Sequence, residues 1–231
     1  MNKSILLIRH AQSANNALPE CERVPDPELT DLGWQQAQQL AVGLKQFPVS
    51  QLYCSPFRRS LDTAQPVAKL LKLQPSIHAD IYEEGGCYSG FEAGQMRGEP
   101  GMNRLQLQTG YPGWSIDASI GPRGWNVDRD YETDQEMEAR VRRVANWLTH
   151  QWLPTSSIHM AGFIIHANFK RLLIGELLET DRWSDDWQPI WNTGISHLQL
   201  IDNAWQLKKW NLVPHLVPML RTPTESGISA A

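Results

Sequence analysis

A chain of 231 residues with 41% hydrophobic and 20% charged residues is long enough to bury a sizeable core. Its 21 Lys and Arg against 25 Asp and Glu give a net charge of −4, which provides no broad basic field for nucleic acid or an anionic membrane. No run approaches the roughly 18 apolar residues that a membrane span needs. Three cysteines without Cys-x-x-Cys spacing indicate neither a disulfide framework nor a zinc site, so we expect reduced thiols in a cytoplasmic protein.

Short apolar runs alternate with segments of helical periodicity along most of the chain, a pattern typical of an α/β fold. The run from Ser4 to Ile8 is continuously apolar after its first residue, as in a strand buried on both faces of a parallel sheet. Thr30 or Asp31 is placed to cap the first long helix, and Ser55-Pro56 has the hydroxyl and proline that often begin another. In chain order we predict strands over 4–8, 52–54 and 158–165, helices over 31–44, 56–72, 136–152 and 167–178, and a terminal hairpin over 194–201 and 204–212.

We therefore predict one three-layer α/β sandwich over residues 1–213, with a mostly parallel central sheet and helices on both faces. Ten of the 16 glycines lie between Gly85 and Gly124, so we interpret residues 85–130 as an irregular insert. It either covers the active site or is a solvated excursion, and the first reading is favoured because loops carry specificity on rigid scaffolds. Periodicity ends near residue 214, which predicts a disordered tail over 214–231.

Charged residues follow three of the predicted strands. Arg9-His10 come directly after the first strand, His166 follows the strand that ends at 165, and Arg58 and Arg59 lie within about a turn of a helix start. The carboxyl ends of parallel strands meet at one edge of a sheet, where open α/β folds bind ligands. A guanidinium fork suits phosphate, and a helix N-terminus also favours an anion. The sequence thus predicts a local phosphate site.

Four motifs occur together in this chain. They are Leu-Ile-Arg-His-Ala at residues 7–11, Leu-Thr-x-x-Gly-x-x-Gln-Ala at 29–37, Ser-Pro-x-x-Arg-x-x-x-Thr-Ala at 55–64, and a histidine at a strand end, His166. In this order they resemble the histidine phosphatase superfamily, also called phosphoglycerate mutase-like. The resemblance covers residues 4–72 and 156–200 and leaves most of the glycine-rich segment unmatched.

The resemblance implies a phosphatase that forms a phosphohistidine. His10 would be the nucleophile and Arg9 a phosphate clamp, as in the family's Arg-His-Gly signature. Arg59 matches the second family arginine, and His166 matches the histidine that hydrogen-bonds the transferred phosphoryl group. Asn16 falls where the family often contacts phosphate. Neither a metal nor a cofactor is implied.

The general acid of the family usually follows a short Leu-x-Glu segment, and Ile81-Tyr82-Glu83 has that form. Glu84 is the alternative acid, and we favour Glu83. Ala11 and Ala167 stand where the family usually has glycine. Alanine would strain the backbone at either position only if φ were positive there.

The chemistry is coherent for these residue types without the family name. A neutral imidazole can attack phosphorus in line, arginines neutralise the phosphoryl oxygens, and a carboxylic acid protonates the leaving oxygen. We expect a small phosphorylated substrate and neither nucleic acid nor membrane as a partner. Two alternatives stay open: a phosphoglycerate-type phosphomutase on the same residues, and a non-catalytic protein that binds a phospho-ligand.

Overall fold

The computed structural model describes residues 3–92, 94–152, 159–180 and 189–222. The strands are β1 (Lys3–Arg9), β2 (Gln51–Cys54), β3 (Ser76–Ile77), β4 (Tyr88–Ser89), β5 (Arg97–Gly98), β6 (Ser115–Ile116), β7 (Met160–Ile165), β8 (Ile195–Ile201) and β9 (Ala204–Leu212). The helices are α1 (Ala14–Ala17), α2 (Asp31–Leu44), α3 (Arg58–Leu71), α4 (Arg104–Gly110), α5 (Asp134–Asn146) and α6 (Ala167–Leu178). In these ranges, no helix combines the length and the hydropathy needed to cross a bilayer.

Seven of the strands form one central sheet in the order β6-β3-β2-β7-β1-β8-β9. The five strands from β6 to β1 pair in parallel, whereas β8 and β9 are antiparallel. Helices cover both faces, so the predicted α/β sandwich with a mostly parallel sheet is confirmed. The remaining strands, β4 and β5, form a separate hairpin.

Side chains of β1 alternate between two cores, as expected of a strand that is covered on both faces. Leu6 and Ile8 pack with residues of α2 and α3, and Ile5 and Leu7 pack with residues of α5 and α6. All four are 0% exposed. This double burial explains why the strand reads as an uninterrupted apolar run, and why the chain becomes polar where the strand ends.

Local signals fixed some boundaries. Thr30 is the N-cap of α2, and its hydroxyl accepts a hydrogen bond from the N–H of Gly33 at 3.0 Å. Asp202 and Asn203 both have positive φ, the backbone that a two-residue hairpin turn with right-handed twist requires. These two residues join β8 to β9, as predicted.

Other boundaries differ from the prediction. The second long helix begins at Arg58, not at Pro56, because Phe57 is its N-cap and the Ser55 hydroxyl is directed to His166 instead. The helix predicted over 136–152 ends as an α-helix at Asn146 and continues as a π-helical turn, Trp147–Trp152. The strand predicted from residue 158 begins at Met160, and residue 158 itself lies outside the described residues.

The glycine-rich segment 85–130 is more regular than its composition predicts. It contains the β4-β5 hairpin, helix α4 and strand β6, and β6 extends the central sheet by pairing in parallel with β3. Seven of its glycines have positive φ, which only glycine adopts without strain and which explains the composition. The segment is therefore partly an integral edge of the sheet.

The predicted disordered tail is wrong for residues 214–222, which pack against the domain. Leu216 is 2% exposed, and His215 Nε2 lies 2.9 Å from the Thr193 hydroxyl. Thr222 donates to the side-chain oxygen of Asn192 at 2.9 Å. Individual long-range contacts, which leave no periodic signal in the sequence, hold this segment. Residues 223–231 lie outside the described ranges.

Because Leu216 is buried, Leu216→Ala should lower the free energy of unfolding by about 2–4 kcal/mol, the usual cost of truncating a buried leucine. Met219 lies in the same segment and is 83% exposed, so Met219→Ala should change the same free energy by less than about 0.5 kcal/mol. Denaturant unfolding of both variants measures the difference. Equal, small effects would mean that the segment is undocked in solution.

Candidate active site

The two predicted active-site histidines follow adjacent parallel strands. His10 comes after β1 and His166 after β7, and the register pairs Arg9 with Ile165. The backbone N–H of His10 donates to the Ile165 carbonyl at 2.8 Å. As a result the imidazole ring centroids are 5.1 Å apart, and the two residues are 3% and 0% exposed.

The ring of His10 is oriented by its own loop. Nδ1 lies 2.6 Å from the Ala11 carbonyl oxygen, a contact that requires Nδ1 to donate and leaves the lone pair on Nε2. Burial, followed by the charges of Arg59 and Arg9, holds the pKa of His10 well below its usual value. A buried neutral imidazole with a free nitrogen is the nucleophilic form of histidine.

His166 is held from the side of helix α3. Its Nε2 lies 2.7 Å from the hydroxyl of Ser55 and 3.4 Å from that of Ser60. Burial, together with Arg59, lowers the pKa of His166 well below its usual value. Within the described ranges, its Nδ1 has no hydrogen-bond partner although it is buried. An unpartnered buried polar atom of this kind is commonly accounted for by a catalytic role or by a bound water or ion.

Two arginines place positive charge beside these rings. Arg9 is 3% exposed, and its Nη1 donates to the Ile190 carbonyl at 2.7 Å, while its buried Nε has no partner in the described part of the chain. Burial lowers the pKa of Arg9 to about 10, so the group stays cationic at neutral pH. The guanidinium of Arg59 lies 3.9 Å from the centroid of the Phe57 ring. This concentration of positive charge suits a dianionic phosphate.

Arg58 and Arg59 have different environments in the structure. Arg58 is exposed and forms an ion pair with Glu28 at 2.7 Å. Its backbone N–H donates to Asp26 at 2.8 Å, and the negative charge of Asp26 acts on Arg59. Burial raises the pKa of Asp26 to about 6. Asp26, which sequence reasoning missed, therefore anchors the start of α3 beside Arg59.

The two candidate acids, Glu83 and Glu84, both face the first turn of α6. Glu83 accepts hydrogen bonds from the backbone N–H groups of Phe169 at 3.0 Å and Asn168 at 3.3 Å. Its charge acts on both Arg9 and Arg59. The backbone of the first turn thus fixes the Glu83 carboxylate where its charge acts on the two arginines.

Glu84 occupies a different environment from that of Glu83. Its carboxylate accepts from the side-chain amide of Asn168 at 2.6 Å, and the charged groups that act on it are Glu83, Arg171 and Asp134. Burial, and then repulsion by Glu83, raise the pKa of Glu84 to about 7. A pKa near neutrality suits proton transfer. Glu84 therefore has the suitable pKa, whereas Glu83 is the carboxylate whose charge acts on both arginines.

Asn16, the predicted phosphate contact, is used locally in the structure. Its side-chain oxygen accepts from the backbone N–H of Ser13 at 3.1 Å and lies 3.4 Å from the amide nitrogen of Asn192. Asn192 in turn donates to the His10 carbonyl at 2.9 Å. Asn16 therefore supports the loop that carries His10.

Neither Ala11 nor Ala167 is strained, since neither is among the non-glycine residues with positive φ. The N–H of Ala11 donates to the Thr63 hydroxyl at 2.9 Å, and that hydroxyl donates to the Arg59 carbonyl at 2.6 Å. Thr63 thus ties the loop after β1 to the helix that carries Arg59. It belongs to the 55–64 motif, which was the signal available for finding it.

The glycine-rich segment reaches the site through aromatic contacts. Trp125 packs edge-on against Phe57 with ring centroids 4.8 Å apart, and Phe57 packs against His166 at 5.1 Å. Tyr88, on β4, interacts electrostatically with Glu83, Glu84 and Arg59. Of the two sequence interpretations, the one in which this segment lies over the site agrees with these contacts.

The chain belongs to the histidine phosphatase superfamily, branch 1, whose family model matches residues 5–213. Among relatives, phosphoglycerate mutase-like protein 4 of Arabidopsis thaliana is 25% identical over 215 residues, which cover 92% of this chain and 86% of that protein.

Solved structures show the same fold. A mutant phosphoserine phosphatase from Entamoeba histolytica in complex with phosphoserine has a TM-score of 0.64 and 21% identity, over 93% of this chain and all of that one. The α-ribazole phosphatase of Shigella flexneri has a TM-score of 0.63 and 20% identity, over 90% of this chain and 96% of that one.

Proposed function

We propose that this protein hydrolyses small phosphomonoesters through a phosphohistidine intermediate on His10. One observation carries the proposal: two neutral, buried imidazoles lie 5.1 Å apart beside the guanidinium groups of Arg9 and Arg59. Two buried polar atoms of this group, Arg9 Nε and His166 Nδ1, lack hydrogen-bond partners in the described residues. A phosphoryl group supplies the acceptor oxygens and the negative charge that such a pocket favours.

The first chemical step transfers the phosphoryl group to His10. The lone pair on His10 Nε2 attacks phosphorus, the bond from phosphorus to the ester oxygen breaks, and the leaving oxygen takes a proton from Glu83. Arg9, Arg59 and His166 hold the phosphoryl oxygens while charge develops on them. Positioning and charge stabilisation are the main requirements of phosphoryl transfer, and this pocket is organised before the substrate arrives.

The second step regenerates the enzyme. Glu83, now ionised, takes a proton from water, the water oxygen attacks phosphorus, and the bond between phosphorus and His10 Nε2 breaks to release inorganic phosphate. The proximity of Glu83 to both arginines supports this assignment. Glu84, whose pKa is raised to about 7, is the alternative proton donor, and the two are separated by experiment below.

The proposed substrate is a small phosphorylated molecule, because the positive charge is confined to the pocket and the whole chain carries a net charge of −4. Phosphoserine, bound by a protein of the same fold, belongs to this class. Segment 85–130 is placed to select the substrate, since Tyr88 interacts with the charges of the site. The free state of all three cysteines supports the proposed cytoplasmic location.

Purified protein should release inorganic phosphate from at least one member of a panel of phosphorylated sugars, glycerates, amino acids and nucleotides, without added metal. Orthovanadate, which mimics the five-coordinate phosphoryl group, should inhibit competitively because the site is built for that charge distribution. The name of the Arabidopsis relative favours a mutase as second candidate. Isomerised phosphoglycerate in place of free phosphate would support the mutase, and binding without turnover would contradict both enzymes.

A further inference from the structure

A largely buried ion pair, whose side chains are 0% and 8% exposed, lies behind the segment that carries Glu83. Arg140, on α5, is 0% exposed, and its Nε and Nη2 donate to the two carboxylate oxygens of Glu132, with 2.7 Å between Nε and Oε1. Its remaining nitrogen, Nη1, donates to the backbone carbonyls of Asp80 at 3.0 Å and Tyr82 at 2.9 Å. All three guanidinium nitrogens are therefore engaged, two on Glu132 and one on residues 80–82.

These contacts end one peptide bond before the proposed acid. The carbonyl of Tyr82 and the N–H of Glu83 belong to the same planar peptide unit. A hydrogen bond to that oxygen therefore fixes the orientation of the peptide plane from which Glu83 continues. The Tyr82 ring lies 3.6 Å from the Arg140 guanidinium carbon, and its hydroxyl donates to Glu132 at 3.0 Å. Arg140 thus contacts the carbonyl and the ring of Tyr82, and Glu132 binds its hydroxyl.

The same guanidinium also contacts the residue that binds the Glu83 carboxylate. Its carbon lies 4.7 Å from the centroid of the Phe169 ring, and the N–H of Phe169 donates to Glu83. Arg140 therefore touches both ends of the arrangement, the peptide that carries Glu83 and the helix turn that receives its side chain. A hydrophobic core side chain could fill this volume but could not hold two carbonyls and a carboxylate.

We propose that Arg140 and Glu132 are positioning residues that hold Glu83 in the orientation for proton transfer. The inference rests on the proposed function, in which Glu83 is the general acid. Neither residue needs to touch the substrate. Since a buried ion pair commonly contributes little net stability compared with apolar residues of equal volume, geometry at Glu83 is the benefit that accounts for its desolvation cost.

Two variants weaken the ion pair without emptying the core. Glu132→Gln keeps the shape of the side chain and removes its charge. Tyr82→Phe removes only the hydroxyl, which donates to Glu132 at 3.0 Å and accepts from Arg129 Nη1 at 3.0 Å. Glu138→Gln is the matched control, because Glu138 forms an ion pair with Arg142 on the exposed face of the same helix. Thermal melting shows which variants fold. If Glu132→Gln does not fold, Tyr82→Phe decides the test.

The first readout is independent of activity. Hydrogen exchange at the Phe169 and Asn168 amides should accelerate at least several-fold in the weakened variants, because these amides donate to Glu83. The amide of Leu173, in the interior of α6, is the internal reference and should not change, and Glu138→Gln should change none of the three. Unchanged exchange at Phe169 and Asn168 in a folded variant would overturn the proposal.

The second readout is the dependence on leaving group. We expect kcat for an alkyl phosphate to fall about 10-fold or more while kcat for p-nitrophenyl phosphate falls less than about threefold, because only the alkoxide needs a well-placed acid. Equal losses on both esters would overturn the positioning role and leave the phosphatase proposal intact. A wild-type protein that hydrolyses neither these esters nor any member of the phosphorylated panel would instead overturn the proposed function, and the amide exchange would then test only whether the ion pair orders Glu83.

Discussion

His10→Ala should abolish phosphate release, with a loss of kcat of three orders of magnitude or more, since the variant lacks the covalent nucleophile. Wild-type protein quenched in mid-turnover should carry phosphate that is labile in acid and stable in base, as expected of a phosphoramidate. Burial and two arginine charges keep the imidazole neutral, so the nucleophilic form is present at neutral pH without a separate base. Steady-state assays and quenched samples of both proteins give the two measurements.

The matched control for this prediction is His159→Ala. His159 is an exposed residue just before β7, at the opposite edge of the sheet from His166, and it should be replaceable with little effect on kcat. Retention of more than about a tenth of the activity by His10→Ala would contradict the nucleophile assignment. The same conclusion would follow if quenched His10→Ala protein still carried acid-labile phosphate.

Strand ends were the part of the site that the sequence could predict. β1 and β7 are buried on both faces, so their sequences stay apolar until the chain leaves the sheet, and the first polar residues mark the edge. Brändén's rule then brings Arg9, His10 and His166 together without knowledge of any contact. In the structure the rings of His10 and His166 lie 5.1 Å apart.

Contacts between distant residues were not predictable from local pattern. Ser55-Pro56 is equally compatible with a helix start and with an extended turn, and the choice depends on His166, which lies 111 residues further along the chain. Leu216 and Thr222 dock through single side chains, which produce no periodicity. Sequence reasoning therefore placed a helix boundary and a tail incorrectly for one common reason.

Spacing also could not choose between Glu83 and Glu84, because adjacent residues fit the same motif within one position. Their environments differ in three dimensions: backbone N–H groups of α6 and two nearby arginine charges for Glu83, a side-chain amide and a raised pKa for Glu84. Proximity to Arg9 and Arg59 favours Glu83 as the general acid, and the raised pKa favours Glu84. Only the chemistry of the leaving group can separate these two arguments.

Glu83→Gln should impair hydrolysis of alkyl phosphates about 10²-fold more than hydrolysis of p-nitrophenyl phosphate. An alkoxide needs a proton in the transition state, whereas nitrophenolate departs without one, so the difference between the substrates isolates acid catalysis. Glutamine has a single acceptor oxygen, so it can keep the bond from the Phe169 N–H but not also the bond from the Asn168 N–H, which goes to the other carboxylate oxygen. The measurement is kcat for both esters in wild type and variant, with melting temperature as a check on folding.

Glu84→Gln is the control that completes this test. If Glu83 is the acid, Glu84→Gln should change the ratio of the two kcat values less than about threefold, because its carboxylate is bound to the Asn168 side chain and not to the backbone turn beside the arginines. The reverse result would identify Glu84 as the acid, and its raised pKa of about 7 would then be the pKa that governs proton donation. If neither variant discriminates between the esters, proton donation by Glu83 or Glu84 is ruled out. If the wild-type protein binds phosphate esters without turning them over, the protein is a phospho-ligand binder and not an enzyme.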